Sequence, residues 1–581
     1  MPAPGDGGDT GRPGRPSINL GSQNINFTLP VLSLGGRAGL DLNLALSYNS
    51  KVWNLDSSTN KIFFNADKSF PAPGWRIGFG AVQGINNGGS INPYTNGASG
   101  KLSYIYVEPD GTRHDLALNS TTGLYESYDS SYMDFNVTTK VLRLSNGTQI
   151  TCGTTFDYQF LPTEIKDRNG NRITVTNAAI QNGDGAASNG DVAIDYITDT
   201  LGRTIDFYYE SNRLLKVRQN RGGTWFDYLV ITWVPVTITT NFGSLGLDPS
   251  TINGTQVWEP WFLQYPNGAN VKLFYTSYGQ LHELERWVPT VVGQGSGRPV
   301  IYTRFDLPSY NGQSYPAGSI VGPATSNATQ TDCPKFASRW EWAENWNGGV
   351  EAQTNYYFDS TNNFSTVTDP TGRIYRTDTS TTSTTQTITA KVFANATAYN
   401  NGAGTPSKTV TTVFGQDSGP SYVSNQRVTD SQITDGSYTR HTSLTYTTSN
   451  GVTLPADVSE YNADATTVYR RTHTDYNWGT AYTSRHIFGL ASQLQIYTGG
   501  GTLLAQTAYT YDETAYFLDA SADNVIAHDS AYNGVLDTIL NSHLVGMVVT
   551  ALITVGFNYW KYKQELKREK KGKDEPGSDQ K

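Results

Sequence analysis

Apolar residues alternate with polar ones from the first ordered-looking stretch of the chain. Ile25, Phe27, Leu29 and Val31 are interleaved with Asn26, Thr28 and Pro30. Beyond the Gly35-Gly36-Arg37-Ala38-Gly39 bend, Leu40, Leu42, Leu44, Leu46 and Tyr48 fall on one side and Asp41, Asn43, Ala45 and Ser47 on the other. A period of two marks half-buried strands, so these two runs predict a strand pair. Pro30 has no N–H to give to a neighbour and predicts an edge position or a local irregularity. Runs such as Thr204–Tyr209 (TIDFYY) and Val271–Tyr275 (VKLFY) predict further strands. No long stretch before residue 534 carries a clean helical period.

Turn signals punctuate these runs. Pro109-Asp110-Gly111, Ser145-Asn146-Gly147, Asn169-Gly170 and Pro266-Asn267-Gly268 are examples. Asn-Gly and Asp-Gly predict tight two-residue hairpin turns in which both central residues take φ > 0. Residues 377–389, TDTSTTSTTQTIT, hold eight Thr; this is either a polar strand pair or a flexible linker.

A loose unit recurs. IKDRNGNRITVTN (165–177), ITDTLGRTIDFYY (197–209) and VTDPTGRIYR (367–376) share an Asp, a turn Gly, a polar residue and an apolar strand. YYESNRLLKVR (208–218) and YTSYGQLHELERW (275–287) give a variant with Tyr ahead of the turn. These units resemble the YD repeats of the bacterial RHS family. Two longer stretches add to the likeness: TLPVLSLGGRAGLDLNLALSYNSKVW with PGWRIGFG (73–80), and residues 470–513. By eye the resemblance covers residues 17–532. It implies an all-β fold, a long ribbon of antiparallel hairpins coiled into a hollow shell, which in relatives encloses a C-terminal toxin or effector. Hairpins that are marginal alone gain burial by stacking on their neighbours, so the implied fold is physically coherent. The sequence departs from the family in one respect. The sole D-P-x-G, Asp369-Pro370-Thr371-Gly372, is followed by Arg373 and sits mid-chain, so it reads as an ordinary turn and not as the core-terminating motif. The expectation is the front part of a shell without its closure or cargo.

Composition sharpens this picture. Of 581 residues, 12% are aromatic and 16% charged, with 36 Tyr and 58 Gly, a bias toward strands and turns and away from coiled coils. The net charge of −9 argues against a nucleic-acid partner. Cys152 and Cys333 are too few for a disulfide framework or a four-cysteine zinc site and are expected as buried free thiols, one bridge being the alternative.

The chain divides into a Gly/Pro-rich disordered arm (1–16), the repeat region (17–533), a hydrophobic segment (534–560) and a basic, disordered tail (561–581). Thr538–Trp560 is free of Asp, Glu, Lys and Arg over 23 residues, a length that spans about 35 Å as a helix. Tyr559 and Trp560 stand where an interfacial aromatic belt would lie. KYKQELKREKKGK (561–573) follows with seven Lys/Arg against two Glu. Together these predict one transmembrane helix, with a buried amphipathic helix as the alternative reading. The positive-inside rule then places the β region outside the cytoplasm as a single-pass membrane protein, although residues 1–16 carry no signal peptide. A missing upstream start or a fused gene would reconcile the two.

No catalytic constellation is visible. The seven His are scattered and none lies in a metal-ligating spacing. No nucleophile elbow, phosphate loop or dinucleotide fingerprint occurs, so neither enzyme nor cofactor is expected. The tryptophans are the remaining candidates. Trp258 and Trp261 lie in VWEPWFLQYPNG, and Trp340, Trp342 and Trp346 in SRWEWAENWNGG. With Asn and Glu nearby, exposed indoles stack on sugar rings. Alternation puts Trp340 and Trp342 on one strand face, which also suits packing against a core or inner wall. Two functions follow. One is a non-catalytic shell segment that is membrane-anchored and encloses or presents another polypeptide. The other is an adhesin-like, carbohydrate-binding β protein at the cell surface.

Overall fold

The computed structural model describes Ser17–Ile18 and residues 24–511, apart from 57–60, 66–67, 88–89, 97–99, 183–185, 241, 243–245, 249, 289–297, 307–335, 345–346, 360 and 418–423. The predicted transmembrane segment, the basic tail, the N-terminal arm, Cys333 and Trp346 lie outside the described residues. Within them, no helix is long and apolar enough to cross a membrane. The α-helices described are the single turns Ala396–Tyr399 and Thr480–Thr483.

Strands dominate, and 32 of them join one sheet in which most neighbours are successive in sequence and antiparallel. The opening strands do not belong to it. Ile25–Leu34 and Leu42–Asn49 pair with each other and with the short strands Ser17–Ile18, Trp75–Arg76 and Pro71–Ala72 to form a separate five-stranded sheet. Within the described residues the opening strands thus add a second layer to the ribbon. The reason is burial. Ile25, Phe27, Leu29, Leu42, Leu44, Leu46 and Tyr48 are buried and share one core cluster with ribbon residues Ile197, Phe207, Leu229, Leu263, Leu273 and Leu281. A half-buried sheet needs such a partner face. The register slips between Pro30 and Leu32, the irregularity that Pro30 predicts.

The first ribbon strands close on themselves. Ala81–Gln83 pairs with Leu102–Val107, and pairing then runs through Arg113–Leu118, Tyr125–Ser127, Asp134–Asn136 and Val141–Arg143 to Gln149–Thr151. The next hairpin bends in the middle. Its base pairs Gln149–Thr151 with Glu164–Lys166, while its tip, Thr154–Phe156 with Gln159–Leu161, folds back onto Ala81–Gln83. The bend falls where Pro162 offers no N–H and Gly153 lies against Thr163. A small barrel results, filled by Tyr104, Phe135 and Phe160, whose ring centroids lie 5.5–5.9 Å apart. Buried Cys152 is a free thiol beside them, and burial pushes it up to about 12, so it stays protonated and inert.

From this barrel the ribbon continues as long hairpins to Leu503–Ala508. The Thr-rich stretch is a strand pair: Ile374–Thr381 pairs with Thr385–Phe393. The ribbon then comes back to its start. Ser130 Oγ donates to the Gln426 carbonyl (2.7 Å), Tyr132 Oη to the Thr453 carbonyl (3.1 Å), and Asn425 N to the Tyr128 carbonyl (2.7 Å). Asn146 and Ile487 form an antiparallel bridge, and the His486 ring Nε2 lies 2.5 Å from the Tyr132 carbonyl. Residues some 300 or more apart in sequence thus touch, which bends the sheet into a coil.

The turns correct one detail of the sequence reading. At Gly111, Gly147, Gly170, Gly202, Gly268, Gly279, Gly372 and Gly501 only the glycine has positive φ; the preceding residue does not. Each glycine N–H donates to the carbonyl three residues back, and the residue that carries this carbonyl donates its own N–H to the carbonyl after the glycine. This is the three-residue loop with a G1 bulge, not the two-residue turn. In the repeat units Asp takes the first position. Asp199 Oδ1 accepts from Leu201 N (2.9 Å) and Arg203 N (2.8 Å), and Asp167 and Asp369 accept in the same way. An Asp side chain that ties two N–H groups of the loop adds support to this turn. Asp369-Pro370-Thr371-Gly372 is therefore the ordinary turn that its sequence predicts.

Candidate functional site

The strands between Thr204 and Ala343 alternate apart from bulges, so one face fills the core and the other carries paired charges and aromatics. The pairing register aligns the second face. Lys272 lies opposite Phe262 and Glu285, Glu285 opposite Tyr302, and Tyr302 opposite Trp342. Arg304 lies between Glu283 and Trp340. Trp258 and Trp261 join this face through their cations: Arg213 lies 3.6 Å from the Trp258 ring, and Lys272 lies 5.3 Å from Trp261 and 5.0 Å from Trp287. Arg218 is held between Tyr208 (4.1 Å) and Trp225 (4.0 Å). Four of the five candidate tryptophans thus share one face, although more than 80 residues separate Trp258 from Trp342 in the numbering.

Their surroundings differ. Trp342 stacks on Tyr302 at 5.3 Å and 13°, and Trp340 sits 5.2 Å from Arg304. Trp258 and Trp261 are 39% and 36% exposed, and Trp225 reaches 47%. Trp261 owes its position to a bulge: Thr232 pairs with Phe262 and Trp233 with Pro260, which leaves Trp261 as the extra residue. Core packing does not account for these rings. On the Trp340 strand it is Arg339 that is buried. Sequence reasoning passed over Trp225 and Trp287. The signal for Trp287 was present, since it stands two residues beyond Glu285 and so on the same strand face.

Several charges on this face are paired. Arg218 pairs with Asp206 (2.6 Å), Lys216 with Asp227 (2.8 Å) and Arg304 with Glu351 (3.4 Å). Cation–π contacts and ion pairs lock the side chains into one arrangement and leave little net field.

Under the opposite face lies an unusual buried acid. Glu259 is fully buried, and among the described residues neither carboxyl oxygen has a hydrogen-bond partner. Tyr48 of the N-terminal sheet and Tyr275 of the ribbon feel its charge, and burial holds its carboxyl well above the usual carboxylate range. Tyr48 Oη accepts from Leu281 N (2.7 Å), and Tyr275 Oη donates to the Pro260 carbonyl (2.7 Å) while accepting from Trp75 Nε1 (3.0 Å). Burial thus favours the protonated form of Glu259, and among the described residues no base or nucleophile is bonded to it.

A cavity of about 450 Å³ separates the Asn65–Ala81 loop, the barrel hairpin tip and the ribbon. Phe70, Ile77, Val175 and Leu214 line it, with the Lys68–Asp157 ion pair (3.3 Å) at its side. The described histidines are held by carboxylates or carbonyls: His114 by Asp129 and Glu108, His441 by Asp430, His473 by Asp457, and His282 by the Phe305 carbonyl. Among the described residues no group of three or more His, Cys, Asp or Glu is placed to hold a metal ion.

No protein-family model matches the chain, and no curated protein matches it. Solved structures do. A chain of the TcdB2-TccC3-TEV crystal structure aligns over 82% of this chain and 26% of its own, at 10% identity and a TM-score of 0.18. The TcdB2-TccC3-Cdc42 crystal structure aligns over 84% of this chain and 26% of its own, at 12% identity and a TM-score of 0.20. The N-terminal domain of effector protein SpvB from Salmonella typhimurium strain LT2 aligns over 57% of this chain and 93% of its own, at 12% identity and a TM-score of 0.17. The chain thus spans about a quarter of the length of the TcdB2-TccC3 chains it matches.

Proposed function

We propose that this chain is a non-catalytic segment of an RHS-type β-shell that encloses or presents another polypeptide. One observation carries the reading. The ribbon returns to its own barrel through Ser130–Gln426, Tyr132–Thr453 and Asn146–Ile487, so the sheet is a curved wall and not a flat surface. Such a wall is suited to separating one space from another. The DxxG turns at 167–170, 199–202 and 369–372 supply the repeating unit that the family resemblance rests on.

The same reading includes a membrane anchor over residues 534–560, supported by the charge-free run and the basic residues after it. Two experiments test the parts separately. Full-length protein purified from its native host is expected to carry a second polypeptide that resists protease until the wall is denatured; a chain that purifies alone overturns the enclosing role. In carbonate extraction, full-length protein is expected to stay with membranes while a chain ending at residue 533 is released; equal release overturns the anchor.

A further inference from the structure

We infer that Trp258 and Trp261 form a binding platform for an uncharged, linear oligosaccharide on the polar face of the ribbon. Three observations lead there. The first is exposure: these two rings present more than a third of their surface, whereas Trp342 is stacked on Tyr302. Arg213 lies over the Trp258 ring at 3.6 Å, and 39% of the residue is exposed.

The second is rigidity. Arg213 at 3.6 Å fixes Trp258, and Lys272 anchors Trp261, Phe274 and Trp287 together at 5.0–5.3 Å. Trp287 is held further by its Nε1–H donating to Glu285 (2.7 Å). Rings ordered before binding lose little entropy on binding, so even a modest stacking energy is realised as affinity.

The third is charge. Arg213 faces Glu210 across the strand pair, Lys272 faces Glu285, and Lys216 is bonded to Asp227. Cations and carboxylates thus alternate across these strand pairs, which leaves little net field for a strongly charged ligand. What suits flat apolar rings set among fixed hydrogen-bonding groups is a ligand with apolar ring faces and hydroxyl edges. A pyranose has both. Trp258 and Trp261 stand three residues apart on one strand, about 10 Å at the usual rise, room for one sugar on each indole with a linking residue between.

This inference does not depend on an enclosed polypeptide, and its failure would leave the shell reading intact. The test is calorimetric titration of the full-length protein with a panel of uncharged linear hexasaccharides built from glucose, mannose, galactose or N-acetylglucosamine. At least one is expected to bind, with affinity unchanged when salt is raised to about 0.3 M. Trp258→Ala and Trp261→Ala are each expected to weaken it by about tenfold or more, a loss typical of a truncated aromatic anchor. Trp258→Phe should recover part of that loss, and Trp342→Ala should leave affinity within about twofold. Unchanged melting curves confirm that the variants are folded. Binding by none of the panel, full binding by the Trp258→Ala and Trp261→Ala proteins, or equal loss in Trp342→Ala overturns the assignment.

Discussion

Gly372 shows most simply what single residues contribute. Its φ is 83°, and a Cβ placed there would meet nothing within 4 Å. Gly372→Ala therefore measures backbone strain alone, expected at about 1–2 kcal/mol. Hydrogen exchange should report it as faster exchange of the Asp369 and Gly372 amides, which close that turn. His114 is the residue-scale test of electrostatics. Burial opposes its protonation, but Asp129 at 2.5 Å and Glu108 at 3.2 Å outweigh that and hold it at about 9, above the ordinary 6.5. A raised cationic pKa stabilises fully below about 6.5 and loses its effect as pH rises toward 9. An NMR titration of the His114 ring should find its midpoint near 9; a midpoint near 6.5 would contradict the geometry.

At the scale of elements, the central joint is the N-terminal sheet on the ribbon, and Glu259 is its weak point. An acid whose carboxyl is buried without partners is best tolerated when protonated. Its raised folded pKa means that stability falls as pH climbs above the ordinary carboxylate range, the opposite of a salt-bridged acid. Glu259→Met should therefore raise the melting temperature at pH 8 and change it little at pH 4. The gain at pH 8 is expected at about 1–3 kcal/mol, the typical penalty of an unsatisfied buried group. A lower melting temperature for Glu259→Met at pH 8 would show that the acid has a partner.

Elements were legible in the sequence to different degrees. The alternation over 25–48 gave strand faces that the structure keeps, with Leu42, Leu44, Leu46 and Tyr48 buried. The Asp-x-x-Gly spacing marked turn positions, but not their type, because a two-residue and a three-residue loop share the same Gly signal. Which face the tryptophans occupy was not legible. Alternation states that Trp340 and Trp342 share a side, while the partners of that side, Arg304 and Tyr302, come from a strand more than 30 residues away. The separate N-terminal sheet was hidden for the same reason. Its partner face is assembled from residues 197–281, and period-two patterning is identical whether a sheet extends a ribbon or lies on top of it.

For the whole molecule, the decisive feature is that the ribbon coils back on its own beginning. Local strand pairing would hold equally in a flat sheet, so the coil rests on contacts between residues 128–147 and 425–488. Asn425 is central to them: its side-chain oxygen accepts from Ser130 N at 3.0 Å. Asn425→Ala should cost about 1–2 kcal/mol and lower hydrogen-exchange protection in 128–133 and 425–428 together. The most direct measurement is a cross-link. Asn146 and Ile487 are partners in an antiparallel bridge, which puts their Cα atoms about 4.5–5.5 Å apart, within disulfide reach. In the Asn146→Cys/Ile487→Cys protein, mild oxidation is expected to yield a disulfide-linked 146–487 peptide pair by mass spectrometry and a faster-migrating band on non-reducing gels. Two thiols that stay free in the folded protein would contradict the coiled wall on which the proposed function rests.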